Sequence, residues 1–397
     1  MIKRVLLKEI VIHDSGVWGD QGSKDAGVPV LRSSNIQNDR IKFDDVAYRV
    51  LSRSELAKYR LEEGDIIITK SSGSKEHIGK CALFYKPNDS QEYYFSNFTL
   101  RLKAKYDKVE PKWIYYWLIS SQGRALLTSL NNTTSGLRNL NITRYLEQEL
   151  PLPSLKEQRR LTAILDKADT LRQMRKNSIK LLDELLRSVF LDMFGDPQYN
   201  PKNWPVEKLG DITEINPRSS NRNYGSNLLV SFIPMSYVSD ESGNIVQQDE
   251  KTISAVNKGF TYFENGDVLF AKITPCMENG KAAIAENLKN GIGFGSTEFH
   301  VIRPSDKLIS EFIFSYIRRD SFRNIAKSKF TGTAGQQRVP TAFLKELDII
   351  VPPIKLQQKF KNVFQSIKSI KGRYVTAGQK DADLFNSLQQ KAFKGEL

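Results

Sequence analysis

The sequence predicts a mixed α/β (α+β) protein of two homologous domains separated by a long antiparallel two-helix coiled coil, with pseudo-two-fold symmetry. Three observations predict it. Landmarks of the first half recur in the same order about 200 residues later. Each half holds short apolar runs bounded by glycine and proline, the pattern of strands. Each half also closes on a long amphipathic segment of helical period.

The repeat can be followed along the chain. Gly64-Asp65 opens the run GDIIITK, and Gly266-Asp267 opens GDVLFAK. The helical stretch EPKWIYYWLISSQGRALL is matched by ISEFIFSYIRRDSFRNIA, and TTSGLRNLN around Gly136 by GTAGQQRVP around Gly335. An apolar strand then ends at Pro153 in one half and at Pro353 in the other, with Gln158 and Gln358 as the matching glutamines five residues on. A period this long is that of a domain, not of a solenoid repeat. The segments LRSSNIQNDRI and SFIPMSYVSDESGNI, by contrast, differ greatly. A shared scaffold with divergent surface fits two binders of different ligands. The expected boundaries are 1–153 for the first domain, 154–194 for its helix, 195–353 for the second domain and 354–397 for the last helix.

From Lys156 to Met193 there is no glycine and no proline. Leu161, Ile164, Ala168, Leu171, Leu182, Leu185 and Val189 fall on heptad a and d positions, and Phe194-Gly195-Asp196-Pro197 supplies the stop. In the second copy, from Leu356 to Phe393, the seam is Phe360, Val363, Ile367, Ile370, Tyr374, Ala377, Leu384 and Leu388. Matching Leu185 to Leu388 implies a three-residue insertion that shifts the heptad register. Stripes this long cannot be buried on a small domain alone, so the two helices are expected to pair with each other, a domain at either end. Leu165, Met174, Ile179 and Leu186 leave the outer face apolar, which suggests a further protein partner.

Lys and Arg number 59 against 45 Asp and Glu, a net charge of +14 that points toward a polyanion, most often nucleic acid. The two cysteines, Cys81 and Cys276, lie far apart outside any metal-ligand spacing, which suits a reduced cytoplasmic protein. No apolar stretch reaches the roughly 20 residues of a membrane span. His13, His77 and His300 share no zinc spacing. Asp196-Pro197-Gln198-Tyr199 has the look of an amino-methyltransferase motif, but it follows a helix stop, where Asp and Pro are expected anyway, and no cofactor loop accompanies it. Gly291, Gly293 and Gly295 form a partial glycine pattern with no long helix behind it. No catalytic residues and no metal ligands are therefore assigned.

Binding residues can be assigned. In the first domain the loop TKSSGSKEHIGK after the strand carries Lys70, Ser71, Ser72 and Lys75, and the loop TTSGLRNLN carries Ser135, Gly136, Arg138 and Asn139. In the second, Lys272, Thr274 and Lys281 follow the equivalent strand, and Thr333, Gly335, Gln336, Gln337 and Arg338 form the equivalent loop. The divergent segments add Arg32, Ser33, Asn35 and Tyr237. Arg reads guanine and Asn or Gln reads adenine bidentately in the major groove, while Lys and Ser serve phosphates.

The central block LPLPSLKEQRRLTAILDKADTLRQMRKNSIKLLDELLRSVFLDMFGDP and the terminal block VPPIKLQQKF to SLQQKAFKGEL resemble the conserved regions of type I restriction–modification specificity subunits. Gln357-Gln358 replaces the usual Glu-Gln, and Thr333-Ala334-Gly335 is a looser form of the loop at Thr134-Ser135-Gly136. The resemblance implies two target-recognition domains, each reading one half of a bipartite, asymmetric site on double-stranded DNA. It implies helices that set the spacing, two methyltransferase subunits docked on the conserved regions, and restriction/translocase subunits joining them. S-adenosylmethionine, ATP and Mg²⁺ would then belong to those partners, and this chain would hold no cofactor and perform no chemistry. The rival expectation is a duplicated coiled-coil scaffold that binds proteins without DNA specificity.

Overall fold

A computed structural model describes residues 2–74, 77–134, 137–218, 224–333 and 336–397. The chain forms two compact units: Met1–Lys176 with Val375–Leu397, and Asn177–Tyr374.

In the first unit the all-apolar run after Gly64-Asp65 becomes the strand Ile66–Thr69, buried throughout. It is an inner strand of an antiparallel sheet ordered Cys81–Leu83, Ile66–Thr69, Thr99–Ala104, Val11–Ser15. Successive side chains of a strand point to opposite faces. Ile66 and Ile68 accordingly enter a core beneath the helix Pro111–Ile119, and Ile67 enters a second core with Leu31, Phe84 and Phe95. A second sheet, ordered Tyr94–Phe95, Val28–Leu31, Ala47–Val50, Asp20–Gln21, has one parallel pairing, Tyr94–Phe95 on Val28–Leu31. This mixture of antiparallel and parallel strands with packed helices is the expected class.

The second unit repeats the plan. Its first sheet is ordered Glu214–Ile215, Phe299–Arg303, Val268–Ala271, Ala282–Ile284, and its second Asp249–Thr252, Leu229–Ile233, Ile292–Gly295, Thr261–Glu264. Val268 and Phe270 face one core and Leu269 the other.

Asp65 and Asp267 occupy matching strand-entry positions, both almost wholly buried. Arg303 binds Asp267 through Nε and Nη2 at 2.9 and 2.8 Å. Arg101 Nη1 stands 3.6 Å from Asp65, and burial pushes the Asp65 carboxyl up to about 6 against the pull of the Glu62 N–H and of Arg101. A raised folded-state value favours the protonated form, so this contribution is complete below about pH 4 and disappears as pH rises to 6. At about 1.4 kcal/mol per unit, the first unit should lose about 3 kcal/mol from this residue across that window. Urea titrations from pH 3.5 to 6.5 check it: Asp65→Asn should flatten that part of the profile, and an unaltered slope would assign the loss to other groups.

The two long helices are Leu155–Phe194 and Ile354–Lys394, and each contributes one half to each unit. In the first unit the Arg172 guanidinium lies 4.3 Å from the Phe385 ring centre, and Arg175 Nε binds Asp381 at 3.2 Å. In the second, Lys371 binds Asp183, and Phe190 packs on Phe360 at 5.6 Å between centroids. Numbers rise along one helix as they fall along the other, so the pairing is antiparallel within each unit.

The a row of the heptad reading lies inward: Leu161, Ala168, Phe360 and Ile367 are buried, while Leu182, Val189, Tyr374 and Leu388 are half-buried. The d row is off by one residue. Leu171, Leu185 and Leu384 are exposed, and Ile164, Val363, Ile370 and Ala377 only half-covered, whereas Leu165, Phe364, Lys371 and Phe385 are buried. The expectation that Leu165 and Leu186 face outward is corrected with it, since both pack on the unit cores. The inward row runs through Arg172, Lys371 and Gly378, which a count of apolar residues passes over. Gly378 leaves its space to the Arg175 stem, whose Cγ would lie 3.3 Å from a Cβ there.

The glutamine match is also corrected. Gln158 accepts the Glu110 N–H at 2.9 Å and donates to the Pro153 carbonyl at 2.8 Å. Its counterpart is Gln357, which accepts the Ile309 N–H at 3.1 Å and donates to Pro352 at 2.7 Å and Lys307 at 2.8 Å. Gln358 is exposed. At the far ends Phe194 meets Phe312, and Phe393 meets Trp113 in the same way. The interval is thus equal at both ends of the helices, and no three-residue insertion separates the copies.

Candidate nucleic-acid interface

In the first unit three segments converge just beyond the buried strand. The Lys70 and Ser71 N–H groups donate to the Phe98 carbonyl at 2.9 and 3.1 Å, and the Leu140 N–H donates to the Lys70 carbonyl at 2.9 Å. Ser71–Ser72 then pairs antiparallel with Leu137–Leu140, setting Ser71 opposite Asn139 and Ser72 opposite Arg138. Ser71 Oγ donates to Asn139 Oδ1 at 2.6 Å, and Lys70 Nζ donates to Ser15 Oγ at 3.2 Å. Burial lowers the Lys70 ammonium from its ordinary value. Arg138 has no carboxylate partner among the described residues. Lys75, Ser135, Gly136 and Gly335 lie outside the described residues.

The second unit builds the same junction. Lys272 N–H donates to the Glu298 carbonyl and Val339 N–H to the Lys272 carbonyl, both at 2.9 Å. Thr274 N–H donates to Gln337 O at 3.0 Å, and Gln337 N–H returns to Thr274 Oγ1 at 3.2 Å. The chemistry differs from the first junction. Arg338, at the place of Asn139, grips the Glu298 carboxylate from Nε at 2.9 Å and Nη2 at 2.8 Å. That bond raises the Arg338 guanidinium and lowers the Glu298 carboxyl. Glu298 stands where the first unit has Phe98. Thr333 and Gln336 are exposed, and Gln337 half-buried.

The remaining assigned residues divide. Arg32 and Ser33 line a cleft with Arg49, Asn97 and Phe98, although Arg32 Nη2 is held by Asp45 at 2.9 Å. Asn35 is buried, accepting the Arg32 N–H at 2.8 Å and donating to Lys42 O at 3.0 Å and Asp45 O at 2.9 Å. It serves the turn and offers nothing to a base. Ser72 Oγ accepts the Ser74 N–H at 3.2 Å. Tyr237 donates to Asp249 at 3.1 Å and accepts from Gln247 at 2.8 Å, and Lys281 donates to Met235 O at 3.3 Å. Desolvation and then Asp249 raise the Tyr237 hydroxyl.

Sequence reasoning missed Trp18. It is 67% exposed in the cleft, its ring 5.9 Å from that of Phe98, whose carbonyl orders Lys70 and Ser71. The available signal was a lone tryptophan in the glycine-bounded loop GVWGD. The motifs set aside are used by the fold. Asp196 binds Arg319 Nη2 and accepts the Gln198 N–H. A Cβ on Gly293 would lie 2.1 Å from the Phe263 ring, so that glycine admits an aromatic rather than a phosphate.

The α/β unit is duplicated, and each copy is joined to the long helices and ends in a polar junction of three segments. The sequence matches the type I restriction modification DNA specificity domain twice, over residues 19–181 and 201–371, and the chain belongs to that family. It is 39% identical over 171 residues to the type I restriction enzyme EcoAI specificity subunit of Escherichia coli, 43% of this chain and 29% of that protein. It is 37% identical over 168 residues to the EcoEI specificity subunit, 42% and 28% of the two chains. The chain thus spans less than a third of the length of these two relatives. The StySPI specificity subunit of Salmonella potsdam is 23% identical over 397 residues, 94% of this chain and 83% of that one. In fold, the chain is similar to the type I restriction–modification S subunit from M. genitalium, with a TM-score of 0.54, 14% identity, and 99% and 96% of the two chains covered.

Proposed function

We propose that this chain is the DNA sequence-specificity subunit of a type I restriction–modification complex. Each unit reads one half of a bipartite, asymmetric target. The long helices set the spacing between half-sites and dock two methyltransferase subunits, which restriction/translocase subunits join. The chain itself holds no cofactor and catalyses nothing; S-adenosylmethionine, ATP and Mg²⁺ act on the partners, in the cytoplasm. The observation that carries the reading is the repeated junction with different side chains, Lys70–Arg138–Asn139 in one unit and Lys272–Gln337–Arg338 in the other. Two copies of one scaffold with unlike polar tips suit an asymmetric target, whereas a symmetric scaffold protein has no need of them.

Mapping methylated adenines in cells with and without this chain tests the reading. Both half-sites and their gap should appear only when it is present; an unchanged pattern rejects it. Within that map, Arg338→Ala should relax the sequence of one half-site, and Arg138→Ala the other. A bidentate base contact by Arg138 is worth about 1–3 kcal/mol of discrimination, a factor of about 5 to 150; Arg338 must exchange Glu298 for a base to make one. Equal relaxation of both half-sites by either change would contradict one unit reading one half.

A further inference from the structure

The two copies also differ at a corner away from the polar junction. In the first unit, the turn at Asp39-Arg40 closes over the packed helices. Asp39 binds Arg124 Nη2 with both oxygens, at 2.5 and 2.6 Å. Arg40 binds Asp169, which also takes Arg172 at 2.6 Å. The Tyr115 hydroxyl donates to the Asp39 carbonyl at 2.9 Å, and Tyr116 donates to Asp166 at 2.6 Å. Every charge at that corner has an internal answer, and tyrosine rings fill the space.

The second unit has a cavity there. Its turn, closed by the Val238–Ile245 bridge, carries Ser242-Gly243 where the first has Asp39, with Asp240 and Glu241 directly before them. Lys368 takes the place of Asp169, a reversal of sign, and Ser315 takes the place of Tyr116. The walls carry Arg187, Arg318, Arg319, Arg323, Lys368 and Lys371. Asp183, Asp196 and Glu286 answer Lys371, Arg319 and Lys368. Arg187 and Arg323 share one exposed carboxylate, Asp320. Arg318 Nη2 donates to the backbone carbonyls of Asp240 at 2.7 Å and Glu241 at 3.3 Å and lies against the Phe314 ring; among the described residues no carboxylate binds it directly, although the charges of Asp183 and Asp240 attract it. Desolvation lowers its guanidinium from the ordinary value. Ser315 Oγ is buried and meets no partner among the described residues. A buried hydroxyl without a partner costs about 1–3 kcal/mol, so a ligand that accepts from it recovers that energy. Phe314, Phe364 and Ile367 add apolar side chains to the lining.

We infer that this cavity is a binding site for a small organic anion, a phosphate or carboxylate on an apolar or aromatic body, held by Arg318, Arg323 and Ser315. The anion supplies from outside the charge that Asp39 supplies from within in the first unit. A planar, two-oxygen anion suits the guanidinium fork.

Thermal melting of the full chain tests it, with inorganic phosphate, adenosine 5′-monophosphate or benzoate added against chloride of equal ionic strength. A ligand that binds only the folded state raises Tm, by about 5–10 °C at a hundredfold excess over Kd for a unit of this size. Ser242→Asp restores the first unit's internal carboxylate: it should raise Tm without ligand and abolish the response. Arg323→Gln should weaken the response about tenfold or more. Phosphate and adenosine monophosphate acting alone identify a phosphate site, benzoate alone a carboxylate site, and either supports the inference. No response up to about 10 mM of any probe, or one unchanged in both variants, overturns it.

Discussion

DNA affinity should fall about a thousandfold as salt rises from 50 to 200 mM. A duplex carries a condensed counterion layer, and each phosphate neutralised by Lys or Arg releases part of it. About six phosphate contacts shared between the two units give a log–log slope near −5 and a loss of that size. The net charge of +14 and the placement of Lys70 and Lys272 at matching junctions supply the cations. Fluorescence anisotropy of a labelled duplex across that salt range measures the slope. Lys70→Ala should make it shallower by about one contact without changing which sequence is preferred, because phosphate contacts position a protein and carry no base information. A salt-independent affinity would mean that the surplus charge serves something other than DNA.

Phe194→Ala should destabilise the second unit by about 3–5 kcal/mol, the usual loss for a buried phenyl ring. Phe194 is fully buried, with ring centroids 4.9 Å from Phe312, 5.3 Å from Phe360 and 5.0 Å from Phe190. Four rings from two long helices and a domain helix meet there, so the gap cannot be closed by moving one neighbour. The Trp204 indole N–H also donates to the Phe194 carbonyl at 2.9 Å, which holds the backbone while the side chain is removed. Urea unfolding should show the loss in the transition of residues 177–374. A loss under about 1 kcal/mol would show that the cluster relaxes around the cavity.

Much of this arrangement was legible in the residues. Repetition is a property of order along the chain, so the duplication needed no geometry. The strand after each Gly-Asp pair was visible because a strand buried on both faces is apolar without interruption, as in Ile66, Ile67 and Ile68. The helix faces were half legible. Polar residues such as Arg172 and Lys371 pack inward by stacking on a ring or meeting a carboxylate, and a hydrophobic count places them outside. Arg338 was chosen for its guanidinium, but its clamp, Glu298, lies on another segment, and only folding brings them together. Trp18 was passed over because one exposed ring has no period to reveal it.

Gln158 and Gln357 fasten the first turn of each long helix to its own domain, while the last turns of each helix are packed by the other unit's aromatic residues. Such a helix cannot change length smoothly. Each residue added or removed in its middle turns one end against the other by about 100° and swings Leu165 or Phe364 off its seat. Natural or engineered variants in length should therefore come in steps close to whole turns, about four or seven residues, made in both helices together.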